Sequence, residues 1–329
     1  MNRSELREEL VHLILGGELT LTSSEVVDKG GLSLEDGQRL WRALGFPDTG
    51  EAVAYGDSDV GAVANVSAAI EAGQLDEETI YRLARALGTT MSRLADWQVS
   101  TLVDQVEHDV EGGKSESRLE AAIGLATDAA PGFEQLMIYA WRRHLAAAAA
   151  RMEALGAADR ELLSTVLTVG FADLSRFTSL SNELDDSTLG TLVENFETRC
   201  TDIVTAHGGR VIKTLGDAVL FVTLDPQQGT RTALDLVGQI ASRDDMPDIR
   251  VGMATGSAIS RLGDVFGPPV NLAARLSHVA RSNRVLIDAA TAATLGDEFD
   301  TRTLPPRPLR GFGNVSPITV SERRGFRSR

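Results

Sequence analysis

The chain has 329 residues, enough for two domains that each bury a core of their own. Its net charge is −15, and its single cysteine, Cys200, excludes both an intrachain disulfide and a cysteine-based zinc site. The acidic excess lies in the first half, where residues 1–150 carry 12 Lys and Arg against 25 Asp and Glu. Because a strongly acidic surface repels phosphates, no nucleic-acid partner is expected.

The first residues of the sequence and its hydropathy predict a cytoplasmic protein. Residues 1–9 are polar and charged, and they lack the apolar core of a signal peptide. No run of eighteen or more apolar residues occurs, so no membrane span is expected.

The first half of the sequence reads as amphipathic helices. They are predicted at Ser4–Gly16, Ser24–Lys29, Leu34–Leu44 and from Asp76 to an end at Gly88, with the next starting at Thr90. Pro131-Gly132 is read as a break. A long connecting helix, 133–155, follows and contains an alanine run. We therefore expect a helical domain over 1–156 and a second domain over 157–329.

The second half mixes strands and helices. In chain order we expect a strand ending at Asp173, a helix over Thr188–His207, a hairpin of Arg210–Lys213 and Ala218–Thr223, a helix over Gly229–Ala241, a strand over Ile249–Ala254, a loop over Gly263–Pro269, a helix over Val270–Val279, and strands over Val285–Asp288 and Ile318–Ser321. The order βαββαβ predicts an α+β, ferredoxin-like fold.

Two carboxylates fall at strand ends that this fold brings close together. Asp173 follows a buried strand, and Asp217 lies at the Gly216-Asp217 tip of the hairpin. Taken singly, Asp173 also fits a helix N-cap and Asp217 an ordinary turn residue. As a pair they suit Mg²⁺, which takes oxygen ligands and is usually held by one or two protein carboxylates plus phosphates.

Four segments in order resemble the class III nucleotidyl cyclases. They are Phe171–Thr178, Lys213–Asp217, Arg250–Gly256 and Gly263–Arg275, within a resemblance that covers about Val166 to Val320. The resemblance implies an adenylate cyclase that converts ATP to 3′,5′-cyclic AMP and pyrophosphate with two Mg²⁺ or Mn²⁺ ions per site. In this reading Asp173 and Asp217 hold the metal ions.

Lys213 and Asp264 stand where the family recognises the base. Adenine offers an acceptor at N1 and a donor amine at N6, whereas lysine only donates and aspartate only accepts. The pair therefore matches adenine and mismatches guanine, whose edge is reversed. Taken singly, they would be a surface lysine on a strand and an aspartate in a loop.

Further site residues follow from the same resemblance. Asn271 would orient the ribose, and Arg275, four residues later on the same helix face, would meet charge building on the α-phosphate. Arg250 and the backbone at Phe177 and Thr178 would contact phosphates.

The sequence departs from the family near the C-terminus. Phe312 occupies the place of a phosphate-binding lysine, and Arg310, two residues earlier, is predicted to replace that lysine.

The resemblance also implies assembly and regulation. Family members build the site across a homodimer, with Asp173, Asp217 and Arg250 from one chain and the base, ribose and α-phosphate residues from its partner. About residues 1–155 resemble the helical regulatory domain of actinobacterial pH-responsive adenylate cyclases, which implies inhibition and a proton or a fatty acid as effector. His144 in the connecting helix is the candidate proton acceptor.

Three other readings stay open at this stage. One is a catalytically weak nucleotide-binding protein that regulates a partner. Another is a diguanylate cyclase, although Leu215–Val219 lacks the Gly-Gly-Asp/Glu-Glu-Phe hairpin of that family. The last is a helix-turn-helix regulator over Thr22–Phe46 with a nucleotide sensor, against which the acidic charge argues.

Overall fold

The chain forms two compact units. The computed structural model describes residues 2–73, 75–154, 164–243, 245–261 and 263–323. Its units are Met1–Arg151, called the helical unit below, and Met152–Arg329, called the sheet unit. The predicted boundary between residues 156 and 157 lies outside the described residues.

Amphipathic helices form the first unit. They are α1 (Arg3–Leu15), α2 (Ser23–Gly30), α3 (Leu34–Leu44), α4 (Asp57–Glu71), α5 (Glu77–Glu111) and α6 (Arg118–Ala154). Val26, Trp41 and Tyr81 lie in one buried cluster between them. In the described parts of the chain no helix is long and apolar enough to cross a bilayer.

Two predicted helix breaks are wrong. Helix α5 continues through Gly88. The glycine allows the helix to lie against the backbone of α3, where an added Cβ would be 2.1 Å from the Leu44 carbonyl oxygen. Helix α6 contains Pro131 and begins 15 residues before the predicted Phe133. Proline removes one backbone donor, but strong helix formers on both sides, including Ala129 and Ala130, let the helix continue.

The sheet unit has the predicted α+β order with additional short elements. In chain order they are β1 (Ser164–Leu174), α7 (Phe177–Leu180), α8 (Asp186–Ala206), β2 (Arg210–Thr214), β3 (Ala218–Thr223), α9 (Pro226–Ala241), β4 (Ile249–Arg261), β5 (Asp264–Phe266), α10 (Pro268–Val279), β6 (Arg284–Ile287), α11 (Ala289–Ala292), β7 (Phe299–Thr303), β8 (Arg307–Leu309), β9 (Gly313–Val315) and β10 (Ile318–Glu322).

The sheet has the strand order expected of a ferredoxin-like core. Strands β2, β3, β1 and β4 lie side by side with antiparallel pairing, and β6, β10 and β7 extend the sheet beyond β4. The predicted α+β fold is therefore confirmed. The predicted loop over Gly263–Pro269 contains a short strand, β5, which pairs with the end of β4. Strands β7, β8 and β9 were not predicted, because three to five residues carry little periodic signal.

Strand β1 has buried side chains on both faces. Ala172 and Leu174 pack with Phe196 of α8 in one cluster, while Leu167 and Val169 belong to another that contains Ala273 of α10. Successive strand residues point to opposite faces, so helices cover the sheet on both sides. The carboxyl end of β1, with Asp173, thus lies on a backbone fixed from two directions.

Helix α10 lies unusually close to β4 at one glycine. A Cβ on Gly252 would lie 2.0 Å from the Ser277 amide nitrogen and 2.3 Å from the Ala273 carbonyl oxygen. Real Cβ atoms do not approach a backbone so closely, so the larger side chain would push the helix away. Helix α10 carries Asn271 and Arg275. The close approach at Gly252 therefore fixes how far both residues lie from β4.

We predict that Gly252→Ala destabilises the fold, whereas Gly256→Ala on the same strand does not. Overpacking of this kind costs about 1–3 kcal/mol. At Gly256 the nearest atom to an added Cβ is Pro269 Cγ at 3.6 Å, an ordinary contact. Urea unfolding of both variants tests this, and equal unfolding midpoints would contradict it.

Candidate active site

The two predicted metal ligands lie at one edge of the central strands. Asp173 on β1 pairs with Ala218, the first residue of β3, and Asp217 directly precedes that residue. The Leu174 amide donates to the Asp217 carbonyl oxygen at 2.8 Å, which ties the hairpin tip to the end of β1. Gly216 has a φ of 73°, a left-handed conformation that favours glycine because it has no Cβ. The turn that presents Asp217 therefore depends on this glycine.

Arg250 bonds to the first of these carboxylates. The two residues face each other in the β1–β4 register, and Arg250 Nε and Nη2 each lie 3.2 Å from Asp173 Oδ1. The remaining terminal nitrogen, Nη1, donates to the His278 carbonyl oxygen at 3.3 Å. The guanidinium is thus oriented by the end of α10 as well as by the carboxylate.

The electrostatics of the carboxylate pair fit a divalent cation. Burial raises the pKa of Asp173, the charge of Asp217 raises it further, and Arg250 opposes both. Two carboxylates that disfavour each other's charge are relieved by a bound cation. Among the described residues no third acidic, histidine or cysteine side chain completes a protein-only metal cluster. This donor set suits ions that take their remaining ligands from phosphate and water.

The two residues predicted to recognise the base, Lys213 and Asp264, contact each other. Lys213 Nζ lies 2.5 Å from Asp264 Oδ2, which joins β2 to β5 across 51 residues of sequence. Asp264 Oδ1 accepts from the Val265 amide at 2.8 Å. Burial raises the pKa of Asp264, but the hydrogen bonds from Lys213 and Val265 outweigh it, so its pKa lies below the usual value. The side chain is therefore an ionised acceptor at neutral pH.

The structure places Asn271 and Arg275 on the surface. Both are exposed on α10, one helical turn apart. No hydrogen bond or ion pair among the described residues joins either side chain to Asp173 or Asp217. Within one chain they form a separate group.

The remaining predicted phosphate contacts differ in their surroundings. Phe177 packs its ring against the core and offers only its backbone. The exposed Thr178 uses its carbonyl oxygen to accept from Ser181 Oγ and Asn182 Nδ2.

Arg310 is exposed in the turn between β8 and β9. Phe312 packs against a cluster that includes Leu276 and Leu309. The replacement of the family's lysine by Phe312 therefore has a packing explanation, since this side chain packs the β8–β9 hairpin against that cluster.

Sequence reasoning missed two residues that support the site, Asn283 and Asp248. The main-chain amide of Asn283 donates to the Ile249 carbonyl oxygen at 2.6 Å, and the Asn283 side-chain oxygen accepts from the main-chain amide of Ile249 at 3.1 Å. Its Nδ2 also donates to Asp248 Oδ1 at 2.7 Å. These bonds fix the start of β4 immediately before Arg250. The sequence Ser282-Asn283 indicates a turn, but a turn signal does not reveal its partner on a distant strand.

Residues 161–320 match the model of the adenylate and guanylate cyclase catalytic domain. An adenylate cyclase of Streptomyces coelicolor is 38% identical, over 95% of this chain and 89% of that protein. This chain belongs to the adenylate and guanylate cyclase family. The predicted class III cyclase is thereby confirmed.

Two further relatives match along most of their length. An adenylate cyclase of Glutamicibacter nicotianae is 34% identical, over 95% of this chain and 81% of that protein. A protein of Mycobacterium tuberculosis named pH-sensitive adenylate cyclase is 31% identical over the same shares. The match to all three relatives extends beyond the catalytic domain into the helical unit.

We predict that Mn²⁺ raises the melting temperature of the wild-type chain but not that of Asp173→Asn or Asp217→Asn. A ligand at a hundredfold excess over its dissociation constant stabilises a fold by about 2.7 kcal/mol. The shift should shrink as the pH falls, because protons compete for Asp173, whose pKa is raised. Thermal unfolding with and without Mn²⁺ measures it.

The control for this experiment is Asp202→Asn. Asp202 is exposed on α8, and its loss should leave the Mn²⁺ shift intact. A full shift in Asp173→Asn would contradict the metal assignment.

Proposed function

We propose that this chain is an adenylate cyclase that converts ATP to 3′,5′-cyclic AMP and pyrophosphate. Membership of the cyclase family and the names of its relatives support a cyclase. The observation that carries the choice of ATP is the contact between Lys213 and Asp264. Incubating the purified protein with ATP or GTP and Mn²⁺ and identifying the products tests it. A chain that binds nucleotide without turnover would favour the regulatory reading.

Base recognition follows from the donor and acceptor character of this pair. Lys213 donates to adenine N1 and Asp264 accepts from the N6 amine. Guanine would set its own N1–H against the lysine and its O6 against the aspartate, which leaves both side chains without a complementary partner on the base. Lys213 is 35% and Asp264 27% exposed, so the pair is partly solvated and costs little to open.

Polyphosphate binding involves the other group. Asp173 and Asp217 would hold two Mg²⁺ or Mn²⁺ ions, which would favour the ionised 3′-hydroxyl and neutralise charge on the triphosphate. Arg250, whose guanidinium is bound to Asp173, is the candidate contact for the terminal phosphates. The Phe177–Thr178 backbone and Arg310 complete the contacts to the phosphates.

The reacting ribose requires a second chain. Asn271 orients the sugar, and Arg275 meets charge developing on the α-phosphate, where a guanidinium remains protonated and offers fixed donors. The exposure of both residues supports a site completed by a partner. A homodimer with two-fold symmetry would contain two such sites.

We predict that Lys213→Glu combined with Asp264→Ser lowers the preference for ATP over GTP. Glutamate accepts from guanine N1–H, and serine donates to O6. The ratio of kcat/KM values should fall by at least about a hundredfold, since polar mismatch can exceed that factor. Arg302→Glu combined with Asp202→Ser, an exposed change with the same net charge, serves as control. An unchanged ratio in the first variant would sink the assignment.

We expect Asp217→Ala and Asn271→Ala chains to be inactive alone and active when mixed. A heterodimer contains one intact site and one site that lacks both groups. Random exchange makes half of the dimers mixed, so recovery approaches about a quarter of wild-type activity. Product formation after verified subunit exchange measures this, and no recovery would indicate a site within one chain.

We further propose that the helical unit inhibits the catalytic unit in response to protons or a fatty acid. The relative named pH-sensitive supports a proton, and its match includes the helical unit. His144 is exposed on α6 beside Arg142 and Arg143, and histidine is the side chain that most readily changes charge near neutral pH.

A chain that begins at Ala157 should turn over faster than the full chain and respond less to pH. Both chains are compared between about pH 5.5 and 8, with and without a long-chain fatty acid, alongside full-length His144→Ala. The separate core of each unit makes the comparison feasible. Identical rates and pH profiles would leave the helical unit without a regulatory role.

A further inference from the structure

The loop after β1 contains an unusual backbone conformation. Among the described residues only Arg176 and Asn283 combine a side chain with a left-handed backbone, at φ of 62° and 56°. Asparagine tolerates this region, whereas for arginine it carries a steric cost. Such strain persists where surrounding bonds impose it, and it concentrates at functional sites.

Hydrogen bonds to Asp248 connect the two segments that carry these left-handed residues. The Ser175 amide, immediately before Arg176, donates to the Asp248 carbonyl oxygen at 2.7 Å. Asn283 donates to the carboxylate of the same residue at 2.7 Å. These two bonds, with those from Asn283 to Ile249, hold the end of β1 against the start of β4.

This assembly places Arg176 at the edge of the sheet that carries the two carboxylates. Arg176 comes three residues after Asp173, and Leu174 between them is bonded to the Asp217 carbonyl. The turn is therefore tied to the hairpin tip on one side and to Asp248 on the other. Arg176 itself is exposed and makes no ion pair within the described parts of the chain.

The predicted phosphate contacts include only two cationic side chains. Arg250 is bound to Asp173, and Arg310 is exposed in the β8–β9 turn, where Phe312 packs into a hydrophobic cluster. A triphosphate carries several negative charges, so a further cation at the edge with Asp173 and Asp217 would strengthen its binding. Arg176 supplies a guanidinium, which binds phosphate oxygens with two parallel hydrogen bonds.

We propose that Arg176 is a substrate-binding residue that contacts the polyphosphate of the nucleotide, held in place by the Asn283–Asp248 assembly. This inference rests on the proposed function. It also gives a reason for the strained backbone: the bond from the Ser175 amide to Asp248 holds the left-handed turn that carries Arg176 next to the strand end with Asp173.

Calorimetric binding to the full-length chain in Mn²⁺ tests the proposal with tripolyphosphate, ATP and adenosine as ligands. Arg176→Asn removes the guanidinium but tolerates the left-handed backbone, and Arg176→Lys keeps the charge. We expect Arg176→Asn to weaken tripolyphosphate and ATP about tenfold to a hundredfold, with adenosine unchanged and the melting temperature not lowered. Arg176→Lys should recover part of the affinity, and high salt should shrink the difference.

Two further variants make the result decisive. Arg302→Asn, an exposed arginine on β7 at the far side of the sheet, should bind all three ligands like the wild type. Arg310→Asn tests the competing candidate for the same role. Tripolyphosphate that fails to bind the wild type, or binds Arg176→Asn equally well, overturns the proposal, as does an equal loss of adenosine. A wild-type chain that binds tripolyphosphate through Arg176 but forms no cyclic product contradicts only the proposed function.

Discussion

The pairing of β1 with β4 is the constraint on which the sheet unit depends. It runs the whole length of β1, from Ser164 opposite Ile259 to Leu174 opposite Ile249. Because a shift by one residue would turn every side chain to the other face, the buried residues on both faces fix this register. The register in turn sets Arg250 opposite Asp173. Helix α10 packs on β4, and β5 pairs with the end of β4. The hairpin of β2 and β3 pairs with β1 through β3. Strands β1 and β4 therefore position the proposed site residues outside α7 and the β8–β9 turn.

Residues next to one another in sequence were the predictable part of the candidate site. A Gly-Asp pair between two apolar runs indicated the hairpin at Gly216-Asp217, and the structure gives Gly216 the positive φ that such a turn needs. The spacing of Asn271 and Arg275 placed both on one face of a helix. The family resemblance added the roles. Contacts between distant residues were not predictable from composition or period. The Asn283–Asp248 assembly joins a turn to a strand start 35 residues away, and neither segment alone signals the other.

Errors in the helical unit have a related cause. Glycine signals a helix end through its conformational freedom, but Gly88 is present because the backbone of Leu44 lies against it. The sequence shows the residue and not the neighbour that requires it. Pro131 illustrates the opposite case, where a local signal for a break is outweighed by the helix-forming residues around it. Packing and neighbouring propensity decide such positions, and a reading one residue at a time captures neither.

Two ionic groups of the proposed site, Lys213 and Arg250, already have a partner within the chain, and each would compete with a ligand for that partner. In the proposed site, the ammonium of Lys213 would compete with adenine for Asp264, and the guanidinium of Arg250 would compete with a metal ion for Asp173. A metal ion that displaces Arg250 frees a phosphate-binding group, so metal and nucleotide should strengthen each other's binding by the same factor. The same two ion pairs that balance charge within the chain would therefore make the binding of both ligands cooperative.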